Sequence, residues 1–135
     1  MANTIKLQSL SPNLVASDVN KTVDYYTKTL GFSLIASVPE KGVYNWAMLM
    51  RDGITMMFQS LPSLKEDLPQ LAFNSKGSLG TFYIKVEGLD ELYRSLKGKA
   101  DIVVEMRTTF YGAREFAVKD LDGYYLMFAE DVPKD

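Results

Sequence analysis

Trp46–Ser60 reads WAMLMRDGITMMFQS, two runs of alternating residues joined at Asp52-Gly53. Asp-Gly between such runs is the strongest short-range signal for a hairpin with a two-residue turn. That turn pairs Met50 with Thr55, Leu49 with Met56, Met48 with Met57, Ala47 with Phe58 and Trp46 with Gln59. Side chains alternate across a strand, so the pairs sort onto two faces. Ala47, Leu49, Met56 and Phe58 form an all-apolar face suited to packing under a helix. Trp46, Met48, Met50, Thr55, Met57 and Gln59 form the other, which is large, soft and partly polar, the composition of a small-molecule pocket.

Moving outward, the hairpin recurs. A shift of 70 residues places Trp46 on Phe116, Ala47 on Ala117, Met48 on Val118, Asp52-Gly53 on Asp122-Gly123, Met57 on Met127 and Phe58 on Phe128. The same shift carries Leu14, Ala16, Val19, Val23 and Tyr26 onto Ile84, Val86, Leu89, Tyr93 and Leu96. A register held over so long a span signals an internal duplication, with modules at about residues 5–60 and 79–131. In the first, a strand at Leu14–Ala16 leads to Ser17-Asp18 as a helix N-cap. Val19, Val23, Tyr26 and Leu30 then fall on one helical face, and Gly31 suits a C-terminal cap. Strands at Ser33–Val38, Tyr44–Met50 and Ile54–Ser60 complete a βαβββ unit. The second unit reads as strand Thr81–Val86, helix Leu89–Leu96, strand Ile102–Arg107 and a hairpin of Arg114–Lys119 with Tyr124–Glu130. The shift adds Arg114, Phe116, Val118 and Met127 to the pocket face, with Thr81 and Tyr83 from the first strand of module 2. Between the modules, residues 61–78 form a polar linker in which Ser63–Leu71 suits a short helix interrupted by Pro69.

Composition narrows the chemistry. The chain has 135 residues, which predicts one domain over 1–135. It contains neither Cys nor His, the residues from which zinc, copper and iron sites draw most of their ligands. Nucleophilic triads lose their usual members for the same reason. With 15 basic and 17 acidic residues and no long basic run, nucleic acid is not an expected partner. No apolar run approaches the roughly 18 to 20 residues that span a bilayer, so no membrane association is expected. The absence of Cys and of an apolar leader in MANTIKLQSLSPN predicts a cytoplasmic location.

The segments LVASDVNKTVDYYTKTLGF (14–32) and YGAREFAVKDLDGYYLMFAE (111–130) resemble the vicinal oxygen chelate superfamily, also called the glyoxalase / bleomycin resistance / extradiol dioxygenase family. The resemblance implies an α+β fold of two tandem βαβββ modules forming a half-open curved sheet barrel around a cleft. It departs at Leu121, where the family usually has Pro. It departs further at the metal, which family enzymes hold with His or Glu on four strands. Those positions carry over to Ser11, Met57, Thr81 and Met127, hydroxyls and thioethers that bind such ions weakly. No metal and no other cofactor is therefore expected.

The resemblance points to the metal-free, bleomycin-resistance-like branch, which sequesters an aromatic drug in the clefts of a homodimer and so confers antibiotic resistance. Candidate ligand-binding residues are Trp46, Met48, Met57, Gln59, Thr81, Tyr83, Tyr111, Arg114, Phe116 and Met127. Gln59, Thr55, Thr81 and Arg114 weigh in favour, because a buried polar group without a partner costs about 1–3 kcal/mol and a polar visitor would satisfy it. The same face is also readable as a second core layer or a subunit interface. A metal-independent enzyme of the same superfamily is the alternative function, with Glu115, Glu130, Asp120, Tyr83, Tyr111 and Lys85 as acid/base candidates. Glu115 and Lys85 fall on helix-facing or edge parity, and Asp120 with Asp122 has a sufficient task in the turn. A structural or regulatory module without a ligand is the third reading.

Overall fold

A computed structural model describes residues 9–70 and 81–133. Its order is β1 (Asn13–Ala16), α1 (Val19–Lys28), β2 (Ser33–Val38), β3 (Trp46–Arg51), β4 (Ile54–Ser60), α2 (Leu61–Asp67), β5 (Thr81–Lys85), α3 (Leu89–Leu96), β6 (Asp101–Thr108), β7 (Ala113–Lys119) and β8 (Tyr125–Asp131). The strands make two four-stranded mixed sheets, β1-β4-β3-β2 and β5-β8-β7-β6, which do not close into barrels. Each sheet has one parallel pair, β1 with β4 or β5 with β8, as a βαβββ unit requires when its helix carries the chain across the sheet. Of the predicted linker, Leu61–Asp67 is helical. Residues 71–78, the ends of the two modules at 5–8 and 79–80, and the last residue of the predicted Ser63–Leu71 helix lie outside the described residues.

Local chemistry sets these elements. The Asp18 carboxylate accepts from the Lys21 amide at 3.1 Å and so satisfies an orphan donor at the start of α1. Val19, Val23, Tyr26 and Leu30 turn inward and are buried. Gly31 takes a φ of 76° past the helix end. A Cβ there would lie 2.8 Å from Arg51 Nη1, which instead donates to the Leu30 carbonyl at 2.7 Å. One core cluster runs through both modules, from Tyr26, Leu49 and Phe58 to Leu96, Phe116 and Leu126. Burying each such side chain contributes about 1.5–3 kcal/mol.

The modules are latched through the turn that follows β7. Tyr26 donates its hydroxyl to Asp120 at 2.7 Å, and the Ser17 amide donates to Asp122 at 3.1 Å. Thr22 also donates its hydroxyl to Asp122, and Tyr124 donates to the Val15 carbonyl at 3.0 Å.

The first hairpin has the predicted register, with Trp46 opposite Gln59 and Arg51 opposite Ile54. The second does not follow its repeat. Lys119 pairs with Tyr125 and Ala117 with Met127, whereas the shift of 70 would place Val118 opposite Met127. Asp120 causes the slip. Its carboxylate accepts from the amides of Asp122 at 2.9 Å and Tyr124 at 2.8 Å, which builds a wider loop, Asp120–Tyr124, where module 1 has a tight turn. A one-residue slip turns every side chain of β7 to the opposite face.

Candidate functional site

The face of each sheet turned away from its helix is the candidate site. On the first sheet it carries Trp46, Met48, Met57 and Gln59, as read from the sequence, together with Asn13 and Val15 of β1. Trp46, Met48 and Met57 are half-buried, and Met50 is exposed beside them. The polar groups of this face have partners within the chain. Gln59 is 5% exposed; its carbonyl accepts from Asn13 at 2.9 Å and its amide donates to Ser63 at 2.9 Å and Asp67 at 3.1 Å. Gln59 therefore ties α2 down onto one end of the sheet. Thr55 shares a hydrogen bond with Ser11 at 2.8 Å.

On the second sheet Thr81, Tyr83 and Met127 lie on the open face, and Tyr111 reaches it from the loop after β6. Arg114 and Phe116 do not. The slip in β7 turns both toward α3, where Arg114 Nη1 donates to both carboxylate oxygens of Asp90, at 2.8 and 3.0 Å. Phe116 is fully buried against Tyr93 and Phe128, and Val118 is buried with it. Of the four polar groups that suggested a visitor, Gln59, Thr55 and Arg114 are thus already satisfied.

The slip brings in a residue that sequence parity set on the wrong side. Glu115 lies across from Ala129 on the open face, is 1% exposed, and gathers four donors. Arg107 grips one carboxylate oxygen with Nε at 3.1 Å and Nη2 at 2.7 Å. Tyr111 donates its hydroxyl to the carboxylate at 2.8 Å, and Tyr83 donates to the second oxygen at 3.4 Å. Burial pushes the Glu115 carboxyl up, but the bonds from Arg107, Tyr111 and Tyr83 outweigh it and hold the group below the usual carboxylate range. The bond to Glu115, then burial, raises the Tyr111 phenol. Lys85, also on this face, is raised by its bond to Asp131. A carboxylate so engaged is a poor proton acceptor and a good fixed charge. Arg107 lies one residue before the end of β6 and has no pattern of its own; only the position of Glu115 reveals it.

The donor set carried over from the family does not suit a divalent ion, and only three of its four residues lie on strands, because β1 begins at Asn13 and Ser11 precedes it. Ser11 is bonded to Thr55, Met57 lies across from Asn13, Met127 across from Tyr83, and Thr81 offers one hydroxyl. Among the described residues no group of three His, Cys, Asp or Glu could hold a metal.

Two βαβββ units in tandem, each with a helix against one sheet face and the other face left largely open, define a paired-module protein. The chain belongs to the Glyoxalase/Bleomycin resistance protein/Dioxygenase superfamily, whose profile matches residues 7–128. A bleomycin resistance protein of Geobacillus stearothermophilus is 29% identical over 135 residues, covering 93% of this chain and 98% of that protein. Among solved structures, TioX from Micromonospora sp. ML1 superposes with a TM-score of 0.76 at 23% identity, covering 93% of this chain and 99% of that one. The bleomycin-binding protein from bleomycin-producing Streptomyces verticillus, crystallised with copper(II)-bleomycin, has a TM-score of 0.64 at 21% identity, covering 97% and 100%. At those identities the structural likeness shows the fold. No helix among the described residues is long and apolar enough to cross a membrane.

Proposed function

We propose that the chain acts as one domain of a metal-free, cytoplasmic small-molecule-binding protein that sequesters a planar aromatic ligand, a reading supported by relatives named for bleomycin resistance. The carrying observation is the open face of the first sheet, where Trp46, Met48 and Met57 form a soft apolar patch that no helix of the described residues fully covers. An indole offers a planar ligand about 0.5–1.5 kcal/mol beyond area burial, and thioethers adapt to irregular outlines. The second open face supplies Tyr83, Tyr111 and Met127 around the ion pair of Glu115 and Arg107.

A homodimer completes this reading. Tyr83 and Tyr111 are 48% and 54% exposed and Met50 is 37% exposed, an apolar surface that an open face of one copy covers on another. The test is a titration with planar aromatic drugs, bleomycin included, followed by native mass spectrometry. One bound molecule per cleft on a dimer supports the reading. A monomeric mass at every concentration, with no adduct, overturns it.

The metal-independent enzyme has one observation in its favour, the constellation of Glu115, Arg107, Tyr111 and Tyr83. The depressed Glu115 carboxyl argues for anchoring a ligand over abstracting its proton.

A further inference from the structure

The duplication gives the molecule two equivalent junctions between its modules, and only one is closed. In the closed junction, Ser17, Thr22 and Tyr26 of module 1 bond to the Asp120–Asp122 turn of module 2. The equivalent junction sets α3 of module 2 against the Asp52-Gly53 turn of module 1. Counting 70 residues on, Ser17 becomes Glu87, Thr22 becomes Leu92 and Tyr26 becomes Leu96, while Asp122 answers to Asp52. Two hydroxyl donors are replaced by leucines, and the one remaining polar position is a carboxylate. Among the described residues no latch of the same kind forms. In its place is a cavity of about 740 Å³ lined by residues from both modules.

The lining has two characters. Leu30, Phe32, Ile54, Ile84, Leu96 and Phe128 make an apolar floor. Arg51, Asp52, Lys85, Glu87 and Glu91 make a charged rim. The cations of that rim are engaged: Arg51 donates to the Leu30 carbonyl and lies 4.0 Å from Asp52, and Lys85 pairs with Asp131. Glu87 and Glu91 form no ion pair among the described residues. The volume falls within the range of about 300–1,000 Å³ typical of ligand pockets.

We infer that this junction is a second binding site, separate from the open sheet faces, for a small amphipathic cation. Its apolar body lies on the Phe32, Ile84 and Leu96 floor and its ammonium group faces Glu87 and Glu91. An anion is disfavoured, because Arg51 already has the Asp52 carboxylate beside it and Lys85 is paired with Asp131, which leaves the charge of Glu87 and Glu91 uncompensated among the described residues. Occupancy bridges the modules at the junction that lacks its own latch, so a bound cation also stabilises their docking.

The test uses 4-phenylbutylammonium, with 5-phenylpentanoate and 5-phenylpentanol as companions of similar body. Methyl resonances of Ile54 and Ile84 report the junction, and Trp46 emission reports the open face. The inference expects the cation to shift both methyls and leave Trp46 emission unchanged, with the carboxylate binding more weakly than the alcohol. Glu87→Gln with Glu91→Gln weakens the cation about fivefold or more and leaves the alcohol unaffected. Ser95→Trp, at an exposed lining position of α3, fills the mouth and abolishes binding of all three. Equal affinity for cation and carboxylate, no methyl shift, or a response at Trp46 alone overturns the inference. So do concentration-dependent shifts at Ile54 and Ile84 without any added compound, which would assign the junction to a second copy of the chain.

Discussion

Tyr26 donates its phenol to Asp120 at 2.7 Å, and this bond joins α1 of the first module to the turn after β7 of the second. Both groups are buried. Burial, with the neighbouring Asp120 carboxylate adding to it, holds the Tyr26 phenol well above its ordinary value, so it stays a donor.

Tyr26→Phe removes that donor and leaves a buried carboxylate short of a partner, a loss of about 1–3 kcal/mol. Urea denaturation of the two proteins at neutral pH reads it directly. An unchanged midpoint and slope would show that the latch adds nothing to the apolar contacts of the ring.

Burial raises the Asp120 carboxyl despite the bonds from Tyr26, Tyr124 and Asp122, so the folded chain takes up this proton more readily than the unfolded chain. By linkage Asp120 favours folding most in acid and loses that contribution as pH rises through its folded pKa. Glu115 is lowered and has the opposite sign: its contribution is present above the unfolded value of about 4.5 and is lost as pH falls through the folded one. Glu115→Gln is therefore expected to cost about 1–3 kcal/mol at pH 7 and less at pH 3, since the lost bonds are to a charged acceptor. Denaturation curves at both values check it, and an equal cost at each would contradict the linkage.

How far the sequence was legible turns on one turn. Asp-Gly at 52–53 announced the first hairpin, and the pairing of Trp46 with Gln59 followed from parity alone. At 122–123 the same dipeptide sits two residues after Asp120, whose side chain captures two backbone amides and widens the loop. Module 1 has Met50 at the equivalent place, and a thioether cannot do this. The repeat thus carried the strands across correctly but put Phe116 and Arg114 on the open face and Glu115 off it, and the structure reverses all three. Asp-Leu-Asp-Gly, with an acceptor ahead of the turn, was the signal available. Gln59 has its polar partners within the chain for a different reason. Its partners Ser63 and Asp67 belong to α2, whose docking on the sheet has no periodic mark in the sequence.

The positions that the family resemblance assigns to metal ligands carry Ser11, Met57, Thr81 and Met127 here, and Ser11, just ahead of β1, is committed to Thr55. Purified protein is expected to contain far less than one equivalent of zinc, nickel, iron or manganese by elemental analysis. A stoichiometric ion that survives dialysis and is released by a chelator would sink the metal-free proposal.

Trp46 is the only tryptophan and sits at the end of β3, half-buried, opposite Gln59 and beside Met48 and Met57. The next residue, Ala47, is buried opposite Phe58 on the helix side, so replacing the indole leaves that core untouched. If the ring is a central anchor for a planar ligand, Trp46→Ala weakens binding by roughly 2 kcal/mol or more, as truncation of an interface hot spot does. If the ring is a core residue, the same change costs about 3–5 kcal/mol of folding stability and leaves the affinity of the surviving fold intact. Partial exposure favours the first outcome, because an indole already in contact with water has less packing to lose. Ligand titration by indole emission in the parent, calorimetric titration of both proteins and urea denaturation of both separate the two, and a large stability loss with unchanged affinity would remove Trp46 from the site.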